Sequence, residues 1–302
     1  QGKTEHATKY GGAGLGLTAL LQSSTATGLM TASFATEGMV GLVPALAIML
    51  GANVGTTLIV QVLSFNVAAI APVLFVIGLL AFRGGSRTRL KDIGRVSIGL
   101  GLTLLSLHIL LDTLAPAENA PGARVLLNAI TDDPVMCIVI AAVLTWAAHS
   151  SVATVLLIMS LAYSHFVTPA GALALVLGAN LGSAINPVIE STRRGDPASY
   201  RLPVGNLLNR LVGVVLVAPF LHPIAHALQS FQPDMAKTTA AFHMAFNIAM
   251  AAIFIGLLDP LAWLLEKVFP ARKQAGDAAA PRYLDDGALD TPSLALADAA
   301  RE

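Results

Sequence analysis

One cysteine stands among 302 residues, so the chain cannot close an internal disulfide. Cys137 sits in an apolar run and reads as a small core residue. Charge is scarce as well: Asp, Glu, Lys and Arg make up 12% of the chain, about half the share of a soluble globular domain. The charges sum to zero, which excludes the basic face that nucleic-acid binding requires. No Cys and His spacing suits a transition-metal site. The first residues, Gln1-Gly2-Lys3-Thr4-Glu5-His6, lack the order of basic region, apolar stretch and cleavage site of a signal peptide. The chain is expected to begin inside a longer protein.

What is plentiful is apolar length. Apolar residues make up 55%, mean hydropathy is +0.71, and the charges crowd into residues 1–10, 83–95, 190–201 and the stretch after 266. Between them run apolar segments at 11–36, 38–63, 67–82, 93–114, 134–164, 169–189, 202–228 and 238–268. Most have the roughly 20 residues needed to cross a bilayer. Two are interrupted, 11–36 by Gln22-Ser23-Ser24-Thr25 and 134–164 by His149-Ser150-Ser151. Each half of those is about a dozen residues, too short to cross a core of about 30 Å. They read as re-entrant hairpins, in which irregular backbone is buried or faces water.

Basic loops set the orientation. Arg83, Arg87, Arg89, Lys91 and Arg95, then Arg193, Arg194 and Arg201, mark two cytoplasmic loops. Lys267, Arg272 and Lys273 place the C-terminus in the cytoplasm, while acidic 112–133 fits the outside. The expected domains are repeat 1 (1–115), an extracytoplasmic linker (116–133), repeat 2 (134–269) and a cytoplasmic tail (270–302).

The repeats come from sliding the chain by 127 residues. Ser23-Ser24-Thr25-Ala26-Thr27 then meets Ser150-Ser151-Val152-Ala153-Thr154, and Gly51-Ala52-Asn53-Val54-Gly55 meets Gly178-Ala179-Asn180-Leu181-Gly182. From 22 to 57, 16 of 36 positions are identical. Each unit holds one hairpin and three spans, an odd number, so the units are expected to be inverted. The fold class is therefore all-α integral membrane, an inverted repeat of a re-entrant hairpin plus three transmembrane helices, as in secondary transporters.

Helix breaks expose N–H groups at the positive end of a helix dipole, which suits an anion. The expected anion ligands are Gln22, Ser23, Ser24 and Thr25 in one break and His149, Ser150 and Ser151 in the other. No lysine or arginine lies in either hairpin core or Gly-Ala-Asn segment, so dipoles and co-bound cations are expected to balance the anion. Hard-cation ligands are then Thr27, Asn53, Thr56 and Thr57, with Thr154, Asn180, Ser183 and Asn186. For one isolated Ser-Ser pair, helix packing is the better reading by about three to one; two matched pairs at breaks reverse it. Among apolar-segment histidines His108, His149 and His243, a packing role is the default. His149 stands apart because it occupies a break, opposite Gln22, and His243 shares a face with Asn247 at i and i+4.

These motifs resemble the sodium/phosphate cotransporter family, whose repeats each carry a Gln-Ser-Ser-Ser-type motif followed by Gly-Ala-Asn-(Ile/Val)-Gly-Thr-Thr. Here the first copy is Gln22-Ser23-Ser24-Thr25 with Gly51-Ala52-Asn53-Val54-Gly55-Thr56-Thr57, and the family's later His-x-x-x-Asn helix resembles His243 and Asn247. The resemblance covers roughly residues 14–270. It implies symport of inorganic phosphate with sodium ions at a bacterial inner (plasma) membrane, the anion lying between the hairpins. It also implies that 1–10 is the end of a preceding helix, and that 283–299 starts a PhoU-like domain. The second copy departs from the pattern at His149, Val152 and Ser183-Ala184, which bears on sodium number and pH sensitivity. Alternatives are phosphate export, carriage of another oxyanion and a phosphate-sensing scaffold. An intramembrane serine hydrolase through His149-Ser150 is disfavoured, because adjacent residues rarely face each other and no Gly-x-Ser-x-Gly is present.

Overall fold

A computed structural model describes residues 2–63, 70–84, 88–118, 131–191 and 196–271, with isolated positions 122, 293, 296, 297 and 300. Regular structure among the described residues is entirely helical. The first half comprises α1 (Gly2–Leu21), α2 (Ser24–Thr36), α3 (Leu42–Leu63), α4 (Ile70–Gly84) and α5 (Thr88–Glu118). The second half holds α6 (Pro134–Ala148), α7 (Ser151–Tyr163) and α8 (Pro169–Ser191). After a 3₁₀ turn come α9 (Arg201–Val217), α10 (Leu221–Phe231), α11 (Met235–Ile255) and α12 (Leu258–Val268).

Four stretches among the described residues are long and apolar enough to cross a membrane: Leu42–Leu63, Pro169–Ser191, Pro197–Phe231 and Met235–Ile255. Large apolar side chains such as Val76, Leu80, Val96, Val139 and Val215 stay exposed. Such a surface suits lipid rather than water. This is a multi-pass membrane protein.

Several segments divide differently from the sequence reading. Helix α1 runs unbroken through residues 2–21, so residues 3–10 are continuous with the first arm of the apolar run 11–36. The run 238–268 is two helices, because α11 stops at Gly256 and α12 restarts after Leu257. The run 202–228 bends through a 3₁₀ turn at Ala218–Phe220. Of the run 67–82, the described part belongs to α4, whose 15 residues span only about 22 Å. Most of 116–133 and 270–302, and the side chain of His108, lie outside the described residues.

The centre is built on α3 and α8. Gly51 and Gly55 let α3 lie directly on α1: a Cβ on Gly51 would land on the Gly11 carbonyl oxygen, and one on Gly55 would sit 2.8 Å from that of Leu15. Gly178 and Gly182 do the same on α6, against the carbonyls of Ile138 and Ala142. This small-residue spacing brings membrane helices into backbone contact. Across the halves, α2 packs on α8 and α7 packs on α3. Helix α11 fills the space beside α3, α7 and α8, while α9 lies along α8 and α3.

Candidate functional site

The two breaks have the same local structure. Gln22 and His149 both take the left-handed conformation at φ 53°, which ends the preceding helix. The next residue, Ser23 or Ser150, is extended and caps the following helix: Ser23 Oγ accepts from the Ala26 N–H at 3.1 Å, Ser150 Oγ from the Ala153 N–H at 3.2 Å. One turn on, the Thr27 and Thr154 hydroxyls donate to the carbonyls of Ser23 and Ser150, each at 3.0 Å. Capping uses one of the free N–H groups at each start and leaves others at the positive end of the dipole. Gln22, Ser24, Thr25, His149 and Ser151 make no side-chain hydrogen bond among the described residues, so their donors remain available. No hydrogen bond between described residues joins the two breaks.

Asn53 and Asn180 lie two residues past Gly51 and Gly178, about 200° around the helix. The glycine faces meet α1 and α6, and the amides therefore face the opposite way, toward α9 and α11. Both helices run uninterrupted through these positions, and the glycines serve the close approach to α1 and α6.

Both asparagines reach one cation, Asn53 through its side-chain amide and Asn180 through its main-chain carbonyl. Arg210 of α9, 4% exposed, donates from Nη1 to the Asn180 carbonyl oxygen and to Ser183 Oγ, and from Nη2 to Asn53 Oδ1. Asn53 Nδ2 donates onward to Asn206 Oδ1 at 2.9 Å. Asn247 Nδ2 donates to Asn180 Oδ1 at 3.0 Å and to the His243 carbonyl at 2.9 Å. The cluster joins α3, α8, α9 and α11. Arg210 is the one buried Asp, Glu, Lys or Arg among the described residues, and no described carboxylate pairs with it. Its Nε and the Nδ1 of His243 are buried without a hydrogen-bond partner.

The expectation that dipoles and co-bound cations balance an anion rests on the absence of a basic residue near these segments. No basic residue is near the Gly-Ala-Asn segments along the chain, but Arg210 reaches both of them in space. Two signals could have found it: an arginine midway along the apolar run 202–228, which by itself marks a functional position in a membrane, and Asn206, Asn209 and Arg210 on one helical face at i, i+3 and i+4.

Of the expected cation ligands, the cluster gathers Asn53, Asn180 and Ser183. The rest share no hydrogen bond with it. Thr56 and Thr57 donate to the carbonyls of Ala52 and Val54, and Thr27 Oγ1 accepts from Thr18. Thr154 bonds within its own turn, and Asn186 donates to the Trp146 carbonyl on α6. The Ser150 hydroxyl beside His149 is occupied in capping α7.

The Na+/Pi-cotransporter family model matches residues 3–112 and 118–274. The chain is 37% identical over 290 residues to the "Putative inorganic phosphate export protein YjbB" of Escherichia coli K12, an alignment covering 96% of this chain and 53% of that protein. A Salmonella typhimurium protein of the same name is 36% identical over the same shares. The "Uncharacterized protein YqeW" of Bacillus subtilis is 27% identical over 89% of this chain and 87% of its own length. The chain therefore spans about half the length of the phosphate export relatives it matches. No solved structure matches it.

Proposed function

The chain belongs to the Na+/Pi-cotransporter family, and we propose that it is the transport core of a sodium-coupled inorganic phosphate carrier. One observation carries this reading: the buried interior holds a positive charge and, among the described residues, no carboxylate. A buried unpaired cation is costly, and an anionic substrate offsets that cost. The N-terminal ends of α2 and α7 add positive potential from either half. Phosphate is taken by Gln22, Ser23, Ser24 and Thr25 with His149, Ser150 and Ser151, whose hydroxyls and N–H groups suit an oxyanion.

Sodium in this reading is cargo, not a resident cofactor. Thr27, Thr56, Thr57, Thr154 and Asn186 are its candidate ligands, whereas Asn53, Asn180 and Ser183 are already engaged by Arg210. The matched breaks support two units inverted in the membrane, each with a re-entrant hairpin and three spans. The basic residues flanking α4, α5, α9 and α12 support an inner-membrane orientation with the C-terminus in the cytoplasm. The export name of the 37% identical relative favours outward movement as a second reading; on one scaffold the prevailing gradients set the direction.

The experiment is radiolabelled phosphate flux through the full-length protein in proteoliposomes, with an imposed sodium or potassium gradient. Sodium-dependent flux, lost in Ser23→Ala and Ser150→Ala while membrane insertion persists, is the expected result. Wild-type flux in both serine variants would remove the breaks from the substrate path.

A further inference from the structure

The oxygens around Arg210 are those that a small hard cation takes. Asn53 Oδ1 is an amide oxygen, the Asn180 contribution is a main-chain carbonyl, and Ser183 Oγ is a hydroxyl. All three are neutral, and they come from α3 and α8, one helix of each half. Ser183 Oγ donates to the Asn180 carbonyl oxygen at 3.0 Å, which holds these two oxygens side by side. Asn206 accepts from Asn53 Nδ2 and so fixes which way the Asn53 amide oxygen points. Carbonyl, amide and hydroxyl oxygens of this kind bind coupling ions in transporters whose repeats meet at the midplane. Here the place is filled from α9 by a guanidinium, which cannot lose its charge in a protein.

We infer that Arg210 is a tethered cation standing permanently in a coupling-ion site, so that the protein moves one sodium ion fewer per phosphate than it would with a neutral side chain at that position. This rests on the carrier reading. A purely structural clamp would spend its donors on the protein; Arg210 keeps Nε buried and unbonded, so part of its charge is left for an anion in the interior. A fixed cation also relieves the carrier of one inward ion, which makes outward movement of phosphate thermodynamically easier.

The test compares full-length wild type, Arg210→Lys and Arg210→Gln in proteoliposomes. A tenfold sodium gradient is imposed at zero membrane potential. One extra coupled sodium raises the phosphate ratio held at steady state by about the sodium ratio itself, here about tenfold. The glutamine variant is expected to show that rise and a steeper sodium dependence, while the lysine variant, which keeps the charge, keeps the wild-type phosphate ratio and sodium order even if its rate falls. An unchanged sodium dependence with only a weaker half-saturation for phosphate would make Arg210 an anion ligand and overturn the inference.

Thermal unfolding of the purified proteins, in sodium against potassium and without phosphate, reads the same site without transport. The glutamine variant should gain roughly 2–4 °C more from sodium than wild type does, and an equal response overturns the inference. If wild type moves no phosphate under any gradient, the carrier reading fails and this comparison still decides the tethered cation. Recovery of folded glutamine variant only from sodium-containing buffer supports it; equal loss in sodium and potassium counts against it.

Discussion

From Gln22 to Ala45 and from His149 to Ala172 the two halves share their helix starts, caps and stops, whereas beyond Asn53 and Asn180 they part. The turns after α2 and α7 show how close the match is. Gly38 N–H donates to Ala35 O and Met39 N–H to Phe34 O; His165 donates to Ala162 and Phe166 to Leu161 in the same pattern. Gly38 and His165 both have positive φ, 74° and 55°, so the same left-handed helix stop is built with and without glycine. Past the glycine helices, symmetry fails. Asn53 offers its side-chain oxygen to Arg210, but Asn180 offers its carbonyl and turns its side chain to Asn247. Ser183 and Thr56 both bond back to their own helices, but of the two only Ser183 also accepts from Arg210. The reason is that α9 and α11 of the second half enter the centre, while in the first half α4 packs on α5 and α5 reaches α7. Matched local frames hold the breaks, and unmatched helices supply the charge.

The largest expected effect falls where the halves are equivalent. Gly51→Val and Gly178→Val each push side-chain atoms into a facing carbonyl, so both should destabilise by at least about 3 kcal/mol. Yield of monodisperse protein and its thermal unfolding in detergent report this. A tolerated change in one half alone would show that the two arms are not packed alike. The unmatched centre should respond unequally. Asn53→Ala removes the acceptor of a charged donor and should cost about 2–3 kcal/mol, against about 1 kcal/mol for Asn247→Ala, which breaks bonds between uncharged groups. Equal losses on thermal unfolding would contradict a cation-centred cluster. The smallest effect belongs to the helix stops. Gly38→Ala forces a side chain into the left-handed region and should cost about 1 kcal/mol, whereas His165→Gly should stabilise by a few tenths to about 1 kcal/mol. If the two substitutions shift the unfolding temperature in the same direction, the stops are not equivalent.

Much of this was legible along the chain because it is local. A Ser after a polar break announces a capped helix start, and those side chains bond within three or four residues. The Gly-Ala-Asn register was equally visible, since a shift of 127 residues aligns it without gaps. What resisted reading was long-range. The split of 238–268 into α11 and α12 is signalled only by Gly256 and Pro260 inside an otherwise apolar run, and the unbroken α1 runs through a charged stretch that the family resemblance marks as the end of another helix. Arg210 is the clearest case. Its partners Asn53 and Asn180 lie 157 and 30 residues away, and no periodicity within α9 says which helices it will meet. By itself the sequence determined an all-helical membrane chain, the two capped breaks and the small-residue faces of α3 and α8, because burial of apolar length, capping and close packing are decided within a few turns. Only the tertiary structure decided that one guanidinium closes on the oxygens of both halves, because that depends on how α9 and α11 pack between them.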